Sequence, residues 1–331
     1  MSTAAVIVNW NAGASLESCL RSLEAQRDDG TDLAVIVIDN ASTDDSVDRA
    51  RAASPEAQFV ANVINVGFAP AVNMAVAHAP ADSDILLLNP DARLDVGSLY
   101  RLVGELQGAP GVGIVGPRIV GEDGQLHPMC ARSDLSLETL LYELAGLRRF
   151  WPRRCRFGAY RLERWDHRGV RDVPCLSGAC MLVRRSVFNT LGGLDETLPM
   201  YFEDIDLCAR ARASGWLVRF VGDATLVHEG ARSAAAHPQR MRLLVMEEGD
   251  ARWLFFRRHR GRLQAFLASI IIAAGASARY VAAAAATPAA CVLAGPSRCQ
   301  QLASFKRKYR ALAGWSLSRD KPVTRLRKEP L

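Results

Sequence analysis

Several common signatures are missing from this 331-residue chain, and each absence argues against a class of site. The eight cysteines include no CxxC pair, so neither a zinc site nor a disulfide framework is predicted, and a reducing compartment is favoured. No GxGxxG and no GxxxxGKS or GxxxxGKT motif occurs, so the usual glycine-rich cradles for nucleotide phosphates are not expected. The first ten residues carry no basic segment followed by an apolar run, so no secretory signal is predicted.

The net charge of +6 is concentrated at one end of the chain. Residues 250–331 contain 16 Lys and Arg against 3 Asp and Glu, whereas the other 249 residues contain 25 against 32. The body is therefore mildly acidic and carries a basic C-terminal segment. Because the body is acidic and lacks a recognised nucleic-acid motif, nucleic acid is not an expected partner.

Residues 1–116 alternate short apolar runs with helical patterns, as a mixed α/β domain does. This alternation predicts right-handed βαβ units and a mostly parallel central sheet flanked by helices. Helices are expected after Ser15, as the N-cap, and from about Pro70 to His78. The predicted strands are Ala4–Val8, Leu33–Ile38, Phe59–Ala61, Ile85–Leu88 and Val112–Val115.

A cluster of polar residues follows each of the first four predicted strands. The clusters are Asn9 and Asn11; Asp39, Asn40 and Ser42; Asn65 and Gly67; and Asn89 and Asp91. Turn chemistry alone would place such residues in any one loop. In parallel sheets, however, ligands bind beyond the carboxyl ends of the strands, so four such loops predict one shared binding site.

The residue types in these loops indicate what the site would bind. Asp91 suggests Mg²⁺ or Mn²⁺, which takes one or two protein carboxylates and leaves other positions to phosphate oxygens and water. Asp39, at a strand end, suits a ribose hydroxyl or a base N–H. A nucleotide held through a metal is therefore the favoured ligand.

Three acids, Glu203, Asp204 and Asp206, lie within four positions directly after Tyr201 and Phe202. The residues that follow have helical spacing, so the acids lie at a helix start, where the helix dipole favours them as caps. The alternative is a general base beside an apolar wall that tunes its pKa. A cap needs only one acid, which favours the general base.

Six motifs, in order, give the chain a family resemblance. They are VIVNWNA (6–12), VIDNASTDDS (37–46), NVGFAPAVN (65–73), LLLNPDA (86–92), SGACMLVRR (177–185) and MYFEDIDLCARARASGW (200–216). Over about residues 4–235 the chain resembles a family-2 inverting glycosyltransferase of the GT-A fold. Within that family it is most similar to the rhamnosyltransferase-like branch, which builds bacterial cell-surface polysaccharides.

The resemblance implies a divalent metal, Mg²⁺ or Mn²⁺, and a nucleotide-diphosphate sugar donor. Asp91 matches the acid of the metal motif, although Asn89 replaces its first acid, and His228 resembles a second metal ligand. Donor-binding positions are also implied; they are Asn9, Asn11, Asp39, Asn40, Ser42, Asn65, Gly67, Phe68, Asn89 and Asp91.

On the acceptor side, Asp204 matches the catalytic base of the family. Glu203 and Gly178 are expected to contact the sugar or the acceptor, because Gly178 lets the backbone approach closely. Glu229 is a candidate to orient the imidazole of His228. Ser177 and Cys180 are interpreted as packing residues, since inversion needs no covalent nucleophile.

The expected organisation is a glycosyltransferase domain over 1–235 and a basic, apolar helical extension over 236–331. The domain divides into a nucleotide-binding half (1–116) and an acceptor half (117–235). Residues 118–172 are rich in Arg and aromatics, including 148–156, Tyr160, Arg161, Arg164 and Trp165. They could meet a lipid diphosphate or form a solvated insertion.

The C-terminal extension contains two apolar runs, Leu263–Ala278 and Val281–Gly295, separated by Arg279 and Tyr280. Neither run is long enough to span a bilayer, so an interfacial anchor or short hairpin flanked by cations is predicted. The expected location is cytoplasmic, at the inner face of the plasma membrane. The alternative is a buried Ala-rich helical pair in a homo-oligomer.

The predicted function is transfer of a sugar, L-rhamnose from dTDP-rhamnose, to a lipid-linked or polysaccharide acceptor. Two alternatives remain open at this stage. One is the same reaction with another donor, such as UDP-galactose, UDP-N-acetylglucosamine or GDP-mannose. The other is a catalytically silent module that binds nucleotide sugars on the same fold.

Overall fold

The computed structural model describes residues 2–27, 32–146, 156–198, 202–229, 238–293 and 295–317. Its centre is a nine-stranded sheet in the order β3-β2-β1-β4-β10-β6-β11-β5, with β8 paired to β11. Apolar, β-branched runs form the central strands because both faces of the sheet are covered. In β1, for example, Ala4, Ala5 and Ile7 are all 0% exposed.

The first half contains four parallel strands and the helices that connect them. The strands are β1 (Ser2–Asn9), β2 (Asp32–Asp39), β3 (Gln58–Ala61) and β4 (Asp84–Leu88). The helices are α1 (Ala14–Arg27), α2 (Ser46–Ala53) and α3 (Phe68–His78). Ser15 lies inside the first turn of α1 and is not its N-cap, because the helix begins at Ala14.

The second half inserts one strand of opposite direction into the sheet. Strand β10 (Cys180–Val183) is antiparallel to β4 and to β6 (Val112–Val120), so β4 and β6 run in the same direction. Strand β11 (Leu217–His228) is parallel to β6. The remaining strands are β5 (Ala92–Leu94), β7 (Ala131–Arg132), β8 (Val170–Asp172) and β9 (Cys175–Leu176). The helices are α4 (Ser98–Gly108), α5 (Leu137–Ala145), α6 (Arg185–Thr190) and α7 (Glu203–Ala213).

The predicted sheet is confirmed, because six of its strands, β3, β2, β1, β4, β6 and β11, share one direction. Strand β6 extends well beyond the apolar run Val112–Val115 that predicted it, to Val120. The cysteines behave as small hydrophobic residues, and five of them are buried free thiols: Cys19, Cys130, Cys175, Cys180 and Cys208.

Three helices follow the sheet: α8 (Pro238–His259), α9 (Arg262–Leu293) and α10 (Gly295–Leu317). The prediction of two apolar halves broken at Arg279 is wrong, because α9 is one continuous helix of 32 residues. The Arg279 guanidinium turns inward and donates to the Tyr309 hydroxyl at 3.0 Å and to the Glu143 carbonyl. Its charge is therefore compensated within the protein, and the helix continues through it.

Helix α9 packs along the domain through small residues. Ala265, Ala268 and Ala276 are buried, and a methyl group at Gly275 would lie 2.8 Å from Leu144 Cβ in α5. Within the described ranges, the stretch Arg262–Thr287 is the one candidate span by length and hydropathy, and 28% of its window is buried inside the protein. A core helix of a soluble protein can have the same properties, so this stretch alone does not establish a span.

Helix α8 is joined to the start of α7 by a buried charge cluster. Asp206 is 2% exposed, and its carboxylate accepts from Arg210 Nε at 2.6 Å and lies 2.8 Å from His259 Nε2. Burial alone would raise the pKa of Asp206, but the hydrogen bonds and charges of His259 and Arg210 outweigh it and hold that pKa below its ordinary value. The third acid of the cluster therefore has a structural role.

We predict that Asp206→Asn lowers the free energy of unfolding by up to about 3 kcal/mol, because it leaves a buried cation without its counter-charge. Since the folded-state pKa is depressed, the stabilisation is present above the ordinary carboxyl value of about 3.9 and is lost as the pH falls through the lower folded-state value. Urea unfolding of both proteins at a series of pH values measures the difference, which should shrink only under acid conditions.

The matched control is Asp172→Asn, which disturbs a more exposed ion pair with Arg219 Nε at 2.7 Å. It should change the free energy of unfolding by less than about 1 kcal/mol. Equal effects of the two substitutions would contradict a structural role for Asp206.

Candidate active site

The polar clusters meet at the carboxyl ends of the parallel strands, as expected. The loops after β1 and β2 are joined by a bond from the Asn40 N–H to the Asn9 carbonyl at 2.8 Å. The loop after β3 joins them through the Asn62 N–H, which donates to the Asp39 carbonyl at 2.8 Å. Three loops of residues 1–116 therefore form one continuous rim.

Asn9 lies beneath this rim and organises it. Its side chain is 0% exposed, and its Nδ2 lies 2.8 Å from Asp39 Oδ1 and within hydrogen-bond distance of the Ser42 and Ser46 hydroxyls. Asp39 Oδ2 also accepts the Ser42 N–H at 3.2 Å. Asn9 thus holds the carboxylate of Asp39 in place from below the loop.

Asn11 and Asn40 shape the loops on either side of Asp39. Asn11 has a positive φ of 51°, donates its N–H to the Ser42 hydroxyl at 2.9 Å and accepts the Thr43 N–H at 2.8 Å. Asn40 is 2% exposed and donates to Asn65 Oδ1 at 2.9 Å. Both asparagines therefore make hydrogen bonds that hold the loops together.

The loop before α3 is closed by a turn at Gly67. Gly67 has a φ of 92°, which L side chains rarely adopt, and its N–H donates to Asn65 Oδ1 at 2.9 Å. The half-buried Phe68 begins α3 directly after this turn. Residues 65–68 therefore form a defined edge beside Asp39 and Asn40.

Asp91 and His228 are brought together by strand pairing. Strand β5 begins one residue after Asp91 and runs antiparallel to the end of β11, so that Ala92 pairs with His228. His228 Nε2 lies 3.1 Å from Asp91 Oδ1, and the two side chains are 12% and 21% exposed. The pairing places a carboxylate and an imidazole side by side at the rim.

This pair fits two neighbouring ligands of one divalent ion. Octahedral Mg²⁺ holds its ligands at about 2.0–2.1 Å, so adjacent ligand atoms lie about 3 Å apart. The residues that the structure describes contain no group of three or more His, Cys, Asp or Glu suited to a metal. A site with two protein ligands leaves the remaining positions to phosphate oxygens and water.

Glu229 does not orient the imidazole of His228, contrary to the expectation from the sequence. Its carboxylate accepts from Arg93 Nη1 at 2.7 Å and from the Ser15 hydroxyl at 2.8 Å, while its N–H donates to the Asp91 carbonyl at 3.1 Å. Glu229 therefore ties the end of β11 to β5 and α1. The backbone of Asp91 is fixed by the same tie.

Asp204 lies at the start of α7 and faces the turn between β9 and β10. Its Oδ2 accepts from the Gly178 N–H at 2.9 Å and from Arg132 Nη2 at 2.5 Å. A methyl group at Gly178 would lie 3.1 Å from Asp204 Cβ, so the glycine permits this close approach. The side chain of Asp204 remains 13% exposed.

The same turn reaches the loop of Asp91. The Asn89 N–H donates to the Ala179 carbonyl at 3.0 Å, one residue from the N–H that binds Asp204. Asp91 and Asp204 therefore lie on either side of one short turn, at one edge of the sheet.

Of the other predicted acceptor-side residues, Glu203 acts locally as a helix cap. Its Oε2 accepts the Phe202 N–H at 2.8 Å, and Phe202 is 4% exposed. Tyr201, the Arg and Trp residues of 148–154, and residues 230–235 after His228 lie outside the described residues. Burial raises the pKa of the Cys180 thiol, which keeps it protonated and agrees with a packing role.

Sequence reasoning missed two residues of the site, Arg132 and His127. The His127 ring lies 5.7 Å from the His228 ring at 75°, and burial, followed by the charge of His228, lowers the pKa of His127 to about 4. Arg132 is 4% exposed and belongs to a strand of only two residues. Neither residue lies in a sequence pattern that predicts a site. The one available signal was the charged Arg132 directly after the apolar Cys130 and Ala131.

Comparison with known proteins identifies the family of the chain. The sequence model of the glycosyl transferase family 2 domain matches residues 4–192. The N-acetylglucosaminyl-diphospho-decaprenol L-rhamnosyltransferase of Mycobacterium tuberculosis is 32% identical over 243 residues, which cover 70% of this chain and 78% of that protein.

Solved structures share the fold at low sequence identity. The mannosyltransferase PcManGT from Pyrobaculum calidifontis, in complex with GDP-Man and Mn²⁺, has a TM-score of 0.56 and 17% identity, covering 95% of this chain and 86% of its own. GalNAc-T7 with UDP, GalNAc and Mn²⁺ has a TM-score of 0.52 and 15% identity, covering 76% of this chain and 49% of its own. The chain is a member of glycosyltransferase family 2 with a GT-A fold, similar to the rhamnosyltransferases of that family.

Proposed function

We propose that this glycosyltransferase is metal-dependent and inverting, and that it moves L-rhamnose from dTDP-rhamnose to a lipid-linked acceptor during cell-envelope glycan synthesis. The observation that carries the proposal is the placement of the Asp91–His228 pair and of Asp204 on either side of the 177–179 turn. The rhamnosyl donor and the polyprenyl-diphosphate acceptor are suggested by the name of the mycobacterial relative.

In this proposal Asp204 removes the proton from the acceptor hydroxyl as that oxygen attacks the anomeric carbon. The nucleoside diphosphate leaves from the opposite face, so one displacement inverts the centre through an oxocarbenium-like transition state. Asp91 and His228 would hold a divalent metal, which supplies charge neutralisation for the departing diphosphate. Asp39, held by Asn9, accepts hydrogen bonds from the nucleoside.

Two alternatives differ in what the same site does. In the first, the chemistry is the same and the donor carries galactose, N-acetylglucosamine or mannose. In the second, the protein binds a nucleotide sugar without transferring it. The presence of both Asp91 and Asp204, each held by specific hydrogen bonds, favours catalysis over a silent module.

We predict that a donor screen will give transfer from dTDP-rhamnose in preference to UDP- and GDP-sugars. The acceptor is a polyprenyl-diphosphate N-acetylglucosamine, and labelled product is measured after lipid extraction. Transfer only from a UDP- or GDP-sugar would replace the rhamnosyl assignment. Binding of a nucleotide sugar without transfer to any acceptor would favour the silent module.

The control for the screen is Asp204→Asn, which keeps the shape of the side chain but removes the proton acceptor. Transfer should fall at least about a hundredfold, because general bases contribute a factor of about 10²–10⁴. Donor affinity measured by calorimetry should stay within about threefold, since Asp204 lies on the acceptor side of the turn. Unchanged turnover would exclude Asp204 as the base.

We predict that EDTA abolishes transfer and that Mg²⁺ or Mn²⁺ restores it. Asp91→Asn and His228→Gln should each weaken Mn²⁺ binding by about tenfold or more, because the site has only two protein ligands. Electron paramagnetic resonance of free Mn²⁺ in the presence of nucleoside diphosphate measures that binding without turnover. Transfer that is indifferent to chelation would contradict the metal site.

Membrane association is the second part of the proposal, and helix α9 supplies the surface for it. Its outward side carries Leu263, Phe266 and Ile270, which are 70%, 61% and 50% exposed. The single charged residue between Leu263 and Thr287, Arg279, is turned inward. The opposite side packs on α5, α8 and α10, so the helix would lie in the interface plane and not span the bilayer.

Cations flank this apolar side, as expected for a cytoplasmic surface that meets anionic headgroups. Arg260 and Arg262 precede it, and Arg307 and Arg310 are exposed on α10. The proposed location is therefore the inner face of the plasma membrane. The lipid-linked acceptor would be drawn from the same surface.

We predict that Leu263→Glu/Phe266→Glu weakens binding to phosphatidylglycerol-containing vesicles by at least about tenfold, since each apolar side chain contributes about 1.5–3 kcal/mol when buried. Vesicle sedimentation measures the change. The matched control is Val96→Glu/Tyr100→Glu, at residues 68% and 65% exposed in another part of the surface. If Leu263→Glu/Phe266→Glu leaves vesicle binding unchanged but lowers the molar mass of the protein in solution, this side of α9 would instead be the interface of a homo-oligomer.

A further inference from the structure

A buried arginine holds one oxygen of Asp204, the proposed base. Arg132, in the two-residue strand β7, is 4% exposed, and its Nη2 donates both to Asp204 Oδ2 at 2.5 Å and to the Leu176 carbonyl at 2.7 Å. The two residues are 72 positions apart in sequence. An arginine so deeply buried requires a compensating partner, and Asp204 is that partner.

The hydrogen bonds of Asp204 differ between its two oxygens. Oδ2 accepts from Arg132 and from the Gly178 N–H, which occupies both of its lone-pair positions. Oδ1 accepts only from the Ile205 N–H, at 2.7 Å, among the described residues. One acceptor position therefore remains on Oδ1 and none on Oδ2.

We infer that Arg132 is a positioning residue for sugar transfer, which anchors Asp204 Oδ2 so that Oδ1 is the oxygen that takes the acceptor proton. The inference rests on the proposed role of Asp204 as the base. Arg132 itself contacts neither the donor nor the acceptor hydroxyl in this role. It acts through the orientation and the charge of Asp204.

The electrostatics of the pair are consistent with a permanent cation. Burial alone would lower the pKa of Arg132, but the charges of Asp204, Cys175 and Tyr160 and the hydrogen bond to Asp204 together outweigh burial and raise that pKa well above its ordinary value. A permanent cation beside Oδ2 holds the carboxylate in one orientation, and orientation of a base against its substrate contributes strongly to rate. Removing a neighbouring cation disfavours the charged form of a carboxylate, so replacing Arg132 tests the pair directly.

Other titratable groups lie around the pair. Burial raises the pKa of Tyr160 and of Cys175, so both remain protonated and neutral. The pKa of His127 is lowered to about 4 by burial, by the charge of His228 and by that of Arg132, so His127 also responds when Arg132 is replaced. Arg252 adds a second positive charge near Tyr160. The acid limb of the pH profile is therefore read together with a direct measurement on the Asp204 carboxyl.

The test compares Arg132→Met, which removes the charge, with Arg132→Lys, which keeps it, and with Arg219→Met as control. Arg219 makes ion pairs with Asp172 at 2.7 Å and with Glu105 at 3.5 Å, and among the described residues it makes no bond to Asp204 or to the 177–179 turn. In Arg132→Met, kcat should fall about a hundredfold while the KM for the donor stays within about threefold, because only the base is displaced. The acid limb of the pH profile should move to higher pH.

Arg132→Lys should recover part of kcat and keep the wild-type acid limb, since the cation remains. This variant also carries the test if Arg132→Met fails to fold. A folded Arg132→Met with wild-type kcat and pH profile would overturn the inference. An equal loss of donor binding and kcat would also overturn it, by assigning Arg132 to the donor.

A second measurement needs no turnover and so separates this inference from the proposed function. The Asp204 carboxyl signal is identified in ¹³C spectra by its loss in Asp204→Asn. Its titration midpoint should lie higher in Arg132→Met than in the wild type, and should not change in Arg219→Met. An unchanged midpoint in Arg132→Met overturns the inference even if the transferred sugar is not rhamnose.

Discussion

The turn between β9 and β10 is the constraint on which both sides of the site depend. The Ala179 carbonyl in this turn accepts the N–H of Asn89, which belongs to the loop of Asp91. The N–H of Gly178, one residue earlier, donates to Asp204. Because β10 runs antiparallel between β4 and β6, its start lies at the edge where β4 ends. The absence of a Cβ at Gly178 lets α7 approach this edge. The separation of the proposed metal ligand Asp91 from the proposed base Asp204 is thus set by backbone geometry.

The crowding of three acids at the start of α7 is resolved by giving each carboxylate a different environment. Glu203 bonds the N–H that precedes its own helix, Asp206 is buried with Arg210 and His259, and Asp204 pairs with Arg132. The sequence left a helix-cap role and a general-base role as alternatives for these three acids. Because their environments differ, different acids can have different roles. Among the described residues, Asp204 has a fixed orientation, an acceptor position left on Oδ1 and a side chain that is 13% exposed, whereas Asp206 is only 2% exposed. A general base requires all three properties.

The sequence predicted the features that have a local pattern. Apolar runs such as Ala4–Val8 identified the strands, and their alternation with helical patterns predicted a mostly parallel sheet. The pairing of β5 with β11 had no such pattern, and neither did β7, because strands of two or three residues carry no periodicity. The partnership of Arg132 with Asp204, the actual partners of Glu229 and the continuity of α9 through Arg279 all depend on contacts between residues far apart in sequence. Such contacts follow from packing, which composition and spacing do not reveal.

The C-terminal helices support the catalytic domain as well as supplying its apolar surface. His259 and Phe255 of α8 contact Asp206 and Phe202, which flank Glu203 and Asp204. Helix α5, which begins shortly after Arg132, packs against α9 so closely that Gly275 meets Leu144. If lipid binds the outward side of α9, the same packed helices hold two things in place. One is the surface that would receive the acceptor, and the other is the set of residues that orient the proposed base, Asp204. Removing these helices would therefore disturb the proposed base, Asp204, as well as the proposed membrane surface. Substitutions on the outward side of α9 separate membrane binding from catalysis, whereas truncation does not.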